Sequence, residues 1–139
     1  MGGSLRVDAW GAVEMTAPAG SGAVTCARVF KVRVWPGQEA AYERYLQQVV
    51  EPIDAIAHAA GVFAHMHAVR PESPDAGWTH ARVFFFSSDD QRQRFADTMA
   101  QAAAQFDGSP AATERRKAQA ATLRATVGTS DYRVGGAKG

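Results

Sequence analysis

Asparagine is absent from this 139-residue chain, and cysteine occurs once, at Cys26. One cysteine excludes an internal disulfide framework and a zinc or iron–sulfur site built from cysteines. The missing asparagine removes every active site that depends on one. No apolar run approaches the roughly 20 residues a membrane-spanning helix needs. The N-terminus lacks a basic stretch followed by an apolar one, so no secretory signal is expected and a cytoplasmic location is. Charge of one sign is also missing: the formal net charge is +1, and only Arg115, Arg116 and Lys117 stand adjacent. That excludes a dedicated nucleic-acid binder, which needs clustered Lys and Arg against phosphate. No phosphate loop, nucleophile elbow or dinucleotide fingerprint occurs, and no repeat of 20–50 residues.

What is present is an ordinary globular composition, 46% hydrophobic and 21% charged. It suffices for one domain with a real core. Abundant Ala and Arg with scarce Lys and Ile match the usage of GC-rich bacterial genes. Residues 1–24 read as an N-terminal extension. Val7, Trp10, Val13 and Met15 would make a short strand or hydrophobic arm there, and the composition of residues 16–23 is that of a flexible linker. The domain spans 25–134, and 135–139 is a tail.

Residues 26–34 alternate as a strand, with Arg28, Phe30, Val32 and Val34 on one face. Trp35-Pro36-Gly37 ends it. A helix follows from about Gln38 to Gly61, with Tyr42, Tyr45, Leu46, Val49, Ile53 and Ile56 on its buried stripe and a kink expected at Pro52. Residues 62–70 and 78–86 are two further strands, separated by a turn rich in Pro and Gly. Ser88 caps a helix whose stripe is Phe95, Met99, Ala102 and Phe106. Ser109 and Pro110 start another, running to about Val127. A short strand over 129–134 closes the order. This predicts an α+β fold, a ferredoxin-like βαββαβ sandwich with an extra helix.

Such a sheet has one face without helices. Period-two reading groups Phe63, His65, His67 and Val69 with His80, Arg82, Phe84 and Phe86 on that face. Val62, Ala64, Met66 and Ala68 then fall with Ala81, Val83 and Phe85 on the other. Three phenyl rings, three histidines and an arginine are an unusual water-facing surface and mark an interface or a ligand site.

Val34-Trp35-Pro36-Gly37-Gln38-Glu39, followed by Tyr42 and Tyr45-Leu46, resembles the first strand exit and first helix of dimeric α/β-barrel proteins. Arg82 to Asp90 with Phe95 resembles their third strand and second helix. The pattern is similar to the antibiotic-biosynthesis monooxygenase-like and NIPSNAP-like families over about residues 26–134. The resemblance implies a homodimer whose sheets close into a barrel. It also implies a pocket for a small aromatic or hydrophobic molecule, in a family that holds cofactor-independent oxygenases, polyketide cyclases and haem-degrading enzymes. The haem-degrading members use an Asn that this chain lacks, although His58 on the first helix is a possible haem ligand.

The candidate chemistry is general acid–base catalysis without a cofactor. His67 or His65 would be the preferred base, with His80 reaching the same face from the neighbouring strand, since imidazole titrates near pH 6.5, and Arg82 would stabilise a phenolate, enolate or carboxylate. Phe63, Phe84 and Phe86 would hold a flat substrate, with Trp35, Trp78 and Tyr45 at its rim. Deprotonating an electron-rich phenol is the first step of a cofactor-independent monooxygenase, and enolisation serves a cyclase. Two alternatives remain at this point. One is a non-enzymatic binding or assembly module that uses the same face. The other is a metal enzyme on the three histidines. Lys31 and Arg33 read as a solvated strand edge or dimer contacts, and Cys26 as a buried, inert thiol.

Overall fold

The computed structural model describes residues 23–134, together with the backbone of two short strands nearer the N-terminus. Those strands, β1 (Leu5–Val7) and β2 (Val13–Met15), pair antiparallel with Leu5 opposite Met15. The rest of the expected extension, including most of its linker, lies outside the described residues, as does the tail.

The described chain forms two compact units. One is a sheet, built from residues 23–33, 63–93 and 126–134. Its strands are β3 (Cys26–Val34), β4 (His65–Val69), β5 (His80–Phe86) and β6 (Arg124–Arg133), in the spatial order β4-β5-β3-β6. The first strand of this set lies centrally between the third and the fourth, and the second lies at an edge. That is the ferredoxin-like order for a βαββαβ chain, and the fold is α+β. β3 and β4 both run antiparallel to β5. The alternating sequence of residues 26–34 forms a strand with the expected limits.

The apolar core of this unit gathers Ala27 and Val29 of β3 with Ala81, Val83 and Phe85 of β5, and Trp78 just before β5. Val83 and Phe85 have no exposed surface. Each such side chain contributes about 1.5–3 kcal/mol by leaving water. Lys31 belongs to this set as well. Contrary to the expectation of a solvated edge, it is 9% exposed and its ammonium lies 5.4 Å from the centre of the Trp78 ring. The long aliphatic stem allows burial, and the ring face receives the charge. Arg33 is exposed as expected, with its guanidinium donating to the Gly77 carbonyl at 3.3 Å.

The other unit is helical, residues 34–62 and 94–125. α1 (Glu39–Tyr45) passes through a π-helical turn, Leu46–Val50, into α2 (Glu51–Ala59). The π turn is the structure's answer to Pro52. A proline has no N–H and collides with the carbonyl one turn back. Here the Glu51 N–H reaches the Leu46 carbonyl instead, and Pro52 falls in the first turn of α2, where a missing donor costs nothing.

The helix expected after Ser88 is two helices, α3 (Asp89–Gln93) in the sheet unit and α4 (Phe95–Asp107) in the helical one. Ser88 Oγ accepts from the Gln91 N–H at 3.1 Å, and the Gln91 side chain accepts from the Ser87 N–H at 2.7 Å, a reciprocal cap. On α4 the buried residues are Ala102 and Ala103, whereas Phe106 is 38% exposed. Gly108, at φ 85°, ends α4 in the left-handed conformation that suits glycine. α5 (Pro110–Leu123) starts on Ser109, whose hydroxyl accepts from the Ala112 N–H at 3.1 Å. It ends four residues earlier than Val127, and the chain becomes extended at Arg124. β-branched Thr126 and Val127 favour the strand. Among the described residues no helix is long and apolar enough to cross a membrane.

Candidate functional site

Register decides which side chains meet. Opposed residues in an antiparallel ladder share a face. β4 meets β5 with His65 opposite Phe85, His67 opposite Val83 and Val69 opposite Ala81. β3 meets β5 with Arg28 opposite Phe84, Phe30 opposite Arg82 and Val32 opposite His80. The grouping expected from period two is therefore corrected by one residue. His65 and His67 share a face with Ala81, Val83 and Phe85. His80, Arg82, Phe84 and Phe86 share the other face with Met66, Ala68, Arg28, Phe30 and Val32. The ten-residue link between β4 and β5 sets this parity, and a one-residue slip exchanges whole faces. His80 is thus separated from the histidine pair, and among the described residues no three His, Cys, Asp or Glu side chains form a metal-holding group. The three-histidine metal site does not assemble.

The face of His80 and Arg82 holds the densest functional chemistry. Phe84, 2% exposed, is its centre. The Arg82 guanidinium lies 4.8 Å from the Phe84 ring centre, and the Phe63 ring meets Phe84 edge-on at 5.1 Å. Phe63 precedes β4 and turns toward this face. Phe30, half-buried, stands opposite Arg82. Phe86, with no exposed surface, is a core residue beyond Phe84.

His80 is oriented by its neighbour. The Thr79 hydroxyl donates to the Val32 carbonyl at 3.4 Å and lies 2.8 Å from His80 Nδ1. The contact with Thr79 orients the ring, and Nε2 on its far side is buried.

A second arginine on this face was not singled out from the sequence. Arg28 donates to Asp131 of β6 through Nε at 2.7 Å and through Nη2 at 3.1 Å, and Arg92 of α3 reaches the same carboxylate at 3.1 Å. The Arg28 hydrogen bond is the main cause that holds the Asp131 carboxyl below the usual carboxylate range. Burial opposes it, and the Arg28 charge and Arg92 reinforce it. Arg92 also pairs with Asp89 at 3.5 Å, so two guanidiniums and two carboxylates balance at this corner. Strand alternation showed Arg28 beside Phe30, but nothing local marks residues 103 positions apart as partners.

The remaining candidates lie elsewhere. Trp78 is 3% exposed in the sheet core beside Lys31. Trp35 and Tyr45 belong to the helical unit. Trp35, 38% exposed, donates from Nε1 to the Ala121 carbonyl at 3.4 Å. Tyr45, 5% exposed, stacks on Tyr42 at 6.3 Å. His58 is exposed in the last turn of α2. Cys26 is buried and free, its thiol 3.9 Å from the Ser88 carbonyl and 3.8 Å from Asp89.

No protein-family model matches the chain, and no curated protein matches it in sequence. Solved structures do. HapK from Hahella chejuensis is 13% identical, with a TM-score of 0.52 over 81% of this chain and 94% of that one. The NE2512 protein of Nitrosomonas europaea, described as of unknown function, is 22% identical, with a TM-score of 0.53 over 83% of this chain and 93% of its own. A dimeric ferredoxin-like protein from an uncultured marine organism is 12% identical, with a TM-score of 0.49 over 81% and 87%. At these identities the likeness is one of fold.

Proposed function

We propose that the chain is a small enzyme that deprotonates a flat aromatic or polyketide-like substrate on the His80 face. His80 takes the proton, Arg82 stabilises the resulting phenolate or enolate, and Phe30, Phe63 and Phe84 hold the ring system. The observation that carries this reading is the placement of His80, its ring held 2.8 Å from the Thr79 hydroxyl, two residues from Arg82 on one strand face. Monooxygenation and cyclisation both begin with such an anion, and neither needs a metal or cofactor for that step.

The reading includes a homodimer. Its support is β6, where residues 126–131 are all exposed and Val127 is 45% exposed. A strand open on both sides is the kind of surface a second copy covers. Native mass spectrometry reads this directly, and a monomer would remove the second copy from the proposal.

The test of the chemistry uses electron-rich phenols, anthrols and poly-β-keto thioesters as probes. Oxygen uptake or cyclised product is expected from the wild type and lost in His80→Gln, while Arg82→Gln weakens substrate binding. Full turnover in His80→Gln sinks the assignment. Saturable binding without turnover of any probe favours a ligand-binding module on the same face.

A further inference from the structure

The opposite face of the sheet carries its own chemistry. His65 and His67 are two apart on β4, which lies at the edge of the sheet. Side chains two apart on a strand leave the backbone about 6.6 Å from one another. These two rings are closer, with centroids 4.8 Å apart and planes at 74°. They lean together. Beneath them is Phe85, with no exposed surface, its ring 6.1 Å from His65 and 6.0 Å from His67. The two imidazoles therefore stand almost equidistant over one buried phenyl floor, and both are half-buried themselves.

From this we infer that His65 and His67 chelate one divalent transition-metal ion at the edge of the sheet. Two imidazole nitrogens about 2.0–2.1 Å from a zinc ion in tetrahedral geometry put their ring centroids about 5 Å apart. The observed centroid separation of 4.8 Å is close to that value. Packing on Phe85 restricts both rings before the ion arrives, which lowers the entropy lost on binding. Imidazole is a borderline ligand, and suits Zn, Cu and Ni over Mg and Ca. Among the described residues two protein ligands are supplied, which leaves positions for water, unlike a closed structural zinc site. The inference is independent of the proposed acid–base chemistry, because the histidines occupy opposite faces.

The test uses the full chain, free of any tag and treated with chelator. Zn²⁺ alone, followed by calorimetry, is expected to bind at one ion per chain. Binding is lost in His65→Ala and in His67→Ala and kept in His58→Ala. A second measurement needs no variant. Cu²⁺ below stoichiometry should broaden the ring-proton NMR signals of His65 and His67 before those of His58 and His80. Absence of Zn²⁺ binding, binding that survives His67→Ala, or broadening centred on another histidine overturns the inference.

Discussion

Arg28 in the first strand of the four-stranded sheet and Asp131 in its last meet through two hydrogen bonds, at 2.7 and 3.1 Å, and Arg92 of the short helix α3 binds the same carboxylate. The pair joins β3 to β6 on the face of His80 and Arg82.

This relationship has a pH signature. The Asp131 carboxyl is held below the usual carboxylate range, first by the Arg28 hydrogen bond. A depressed folded-state pKa contributes stability that is full above the unfolded value of about 3.9. That stability is lost as pH falls through the folded value. Chemical denaturation should show acid sensitivity below about pH 4 that Asp131→Asn reduces. At neutral pH the same substitution should cost roughly 1 kcal/mol or less, because the carboxylate is partly open to water. An unchanged acid limb in Asp131→Asn would remove the pair from the account.

A second ion pair lies in the helical unit. Asp107, with a side chain 3% exposed, receives hydrogen bonds from Arg116 at 2.9 Å and Thr113 at 2.6 Å. Burial pushes its carboxyl up, but the Arg116 and Thr113 hydrogen bonds and the nearby charges together hold it low. Asp107→Ala is expected to destabilise by about 2–3 kcal/mol, since it leaves a half-buried guanidinium without its carboxylate. Thr113→Val removes one hydrogen bond, at about 1 kcal/mol. Thermal unfolding of the two variants should preserve that order.

Two phenylalanines separate core from surface. Phe85 has no exposed area, and Phe106 is 38% exposed. Phe85→Ala should cost about 3–5 kcal/mol through lost burial and the cavity left behind. Phe106→Ala should fall near the roughly 0.5 kcal/mol of ordinary surface changes. Urea midpoints at constant slope measure both. Equal losses would contradict the register that buries Phe85.

Cys26 is 3% exposed at the start of the central strand. Its thiol should react slowly with an aromatic disulfide reagent under native conditions and at once in denaturant. Rapid native labelling would mean that the sheet opens at this end.

Thr79 should act through His80. Thr79→Val keeps the side-chain shape and removes the hydroxyl that hydrogen-bonds the His80 ring. Turnover should fall, with KM for the aromatic probe little changed, and Thr79→Ser should restore it. A KM effect without a kcat effect would make the hydroxyl a substrate contact instead.

The sequence by itself determined much of the secondary structure. Alternation marked β3 to the residue, because one strand's pattern reflects its own two environments. Ser88 and Ser109 marked helix starts, and Gly108 a helix stop, because caps are satisfied within four residues. The order of elements was enough for the ferredoxin-like class. Only the tertiary structure decided which faces coincide. His80 falls on the other face from His65 and His67 because the β4–β5 connection sets the parity of pairing, and no property of either strand alone records it. The same holds for Arg28 with Asp131 and for Lys31 buried against Trp78, where the partners are distant in the chain. The histidines are therefore legible as residues in the sequence, but the face each one occupies is decided only in the fold. Local chemistry encodes turns and caps, whereas a site is made by register, and register is a property of paired strands.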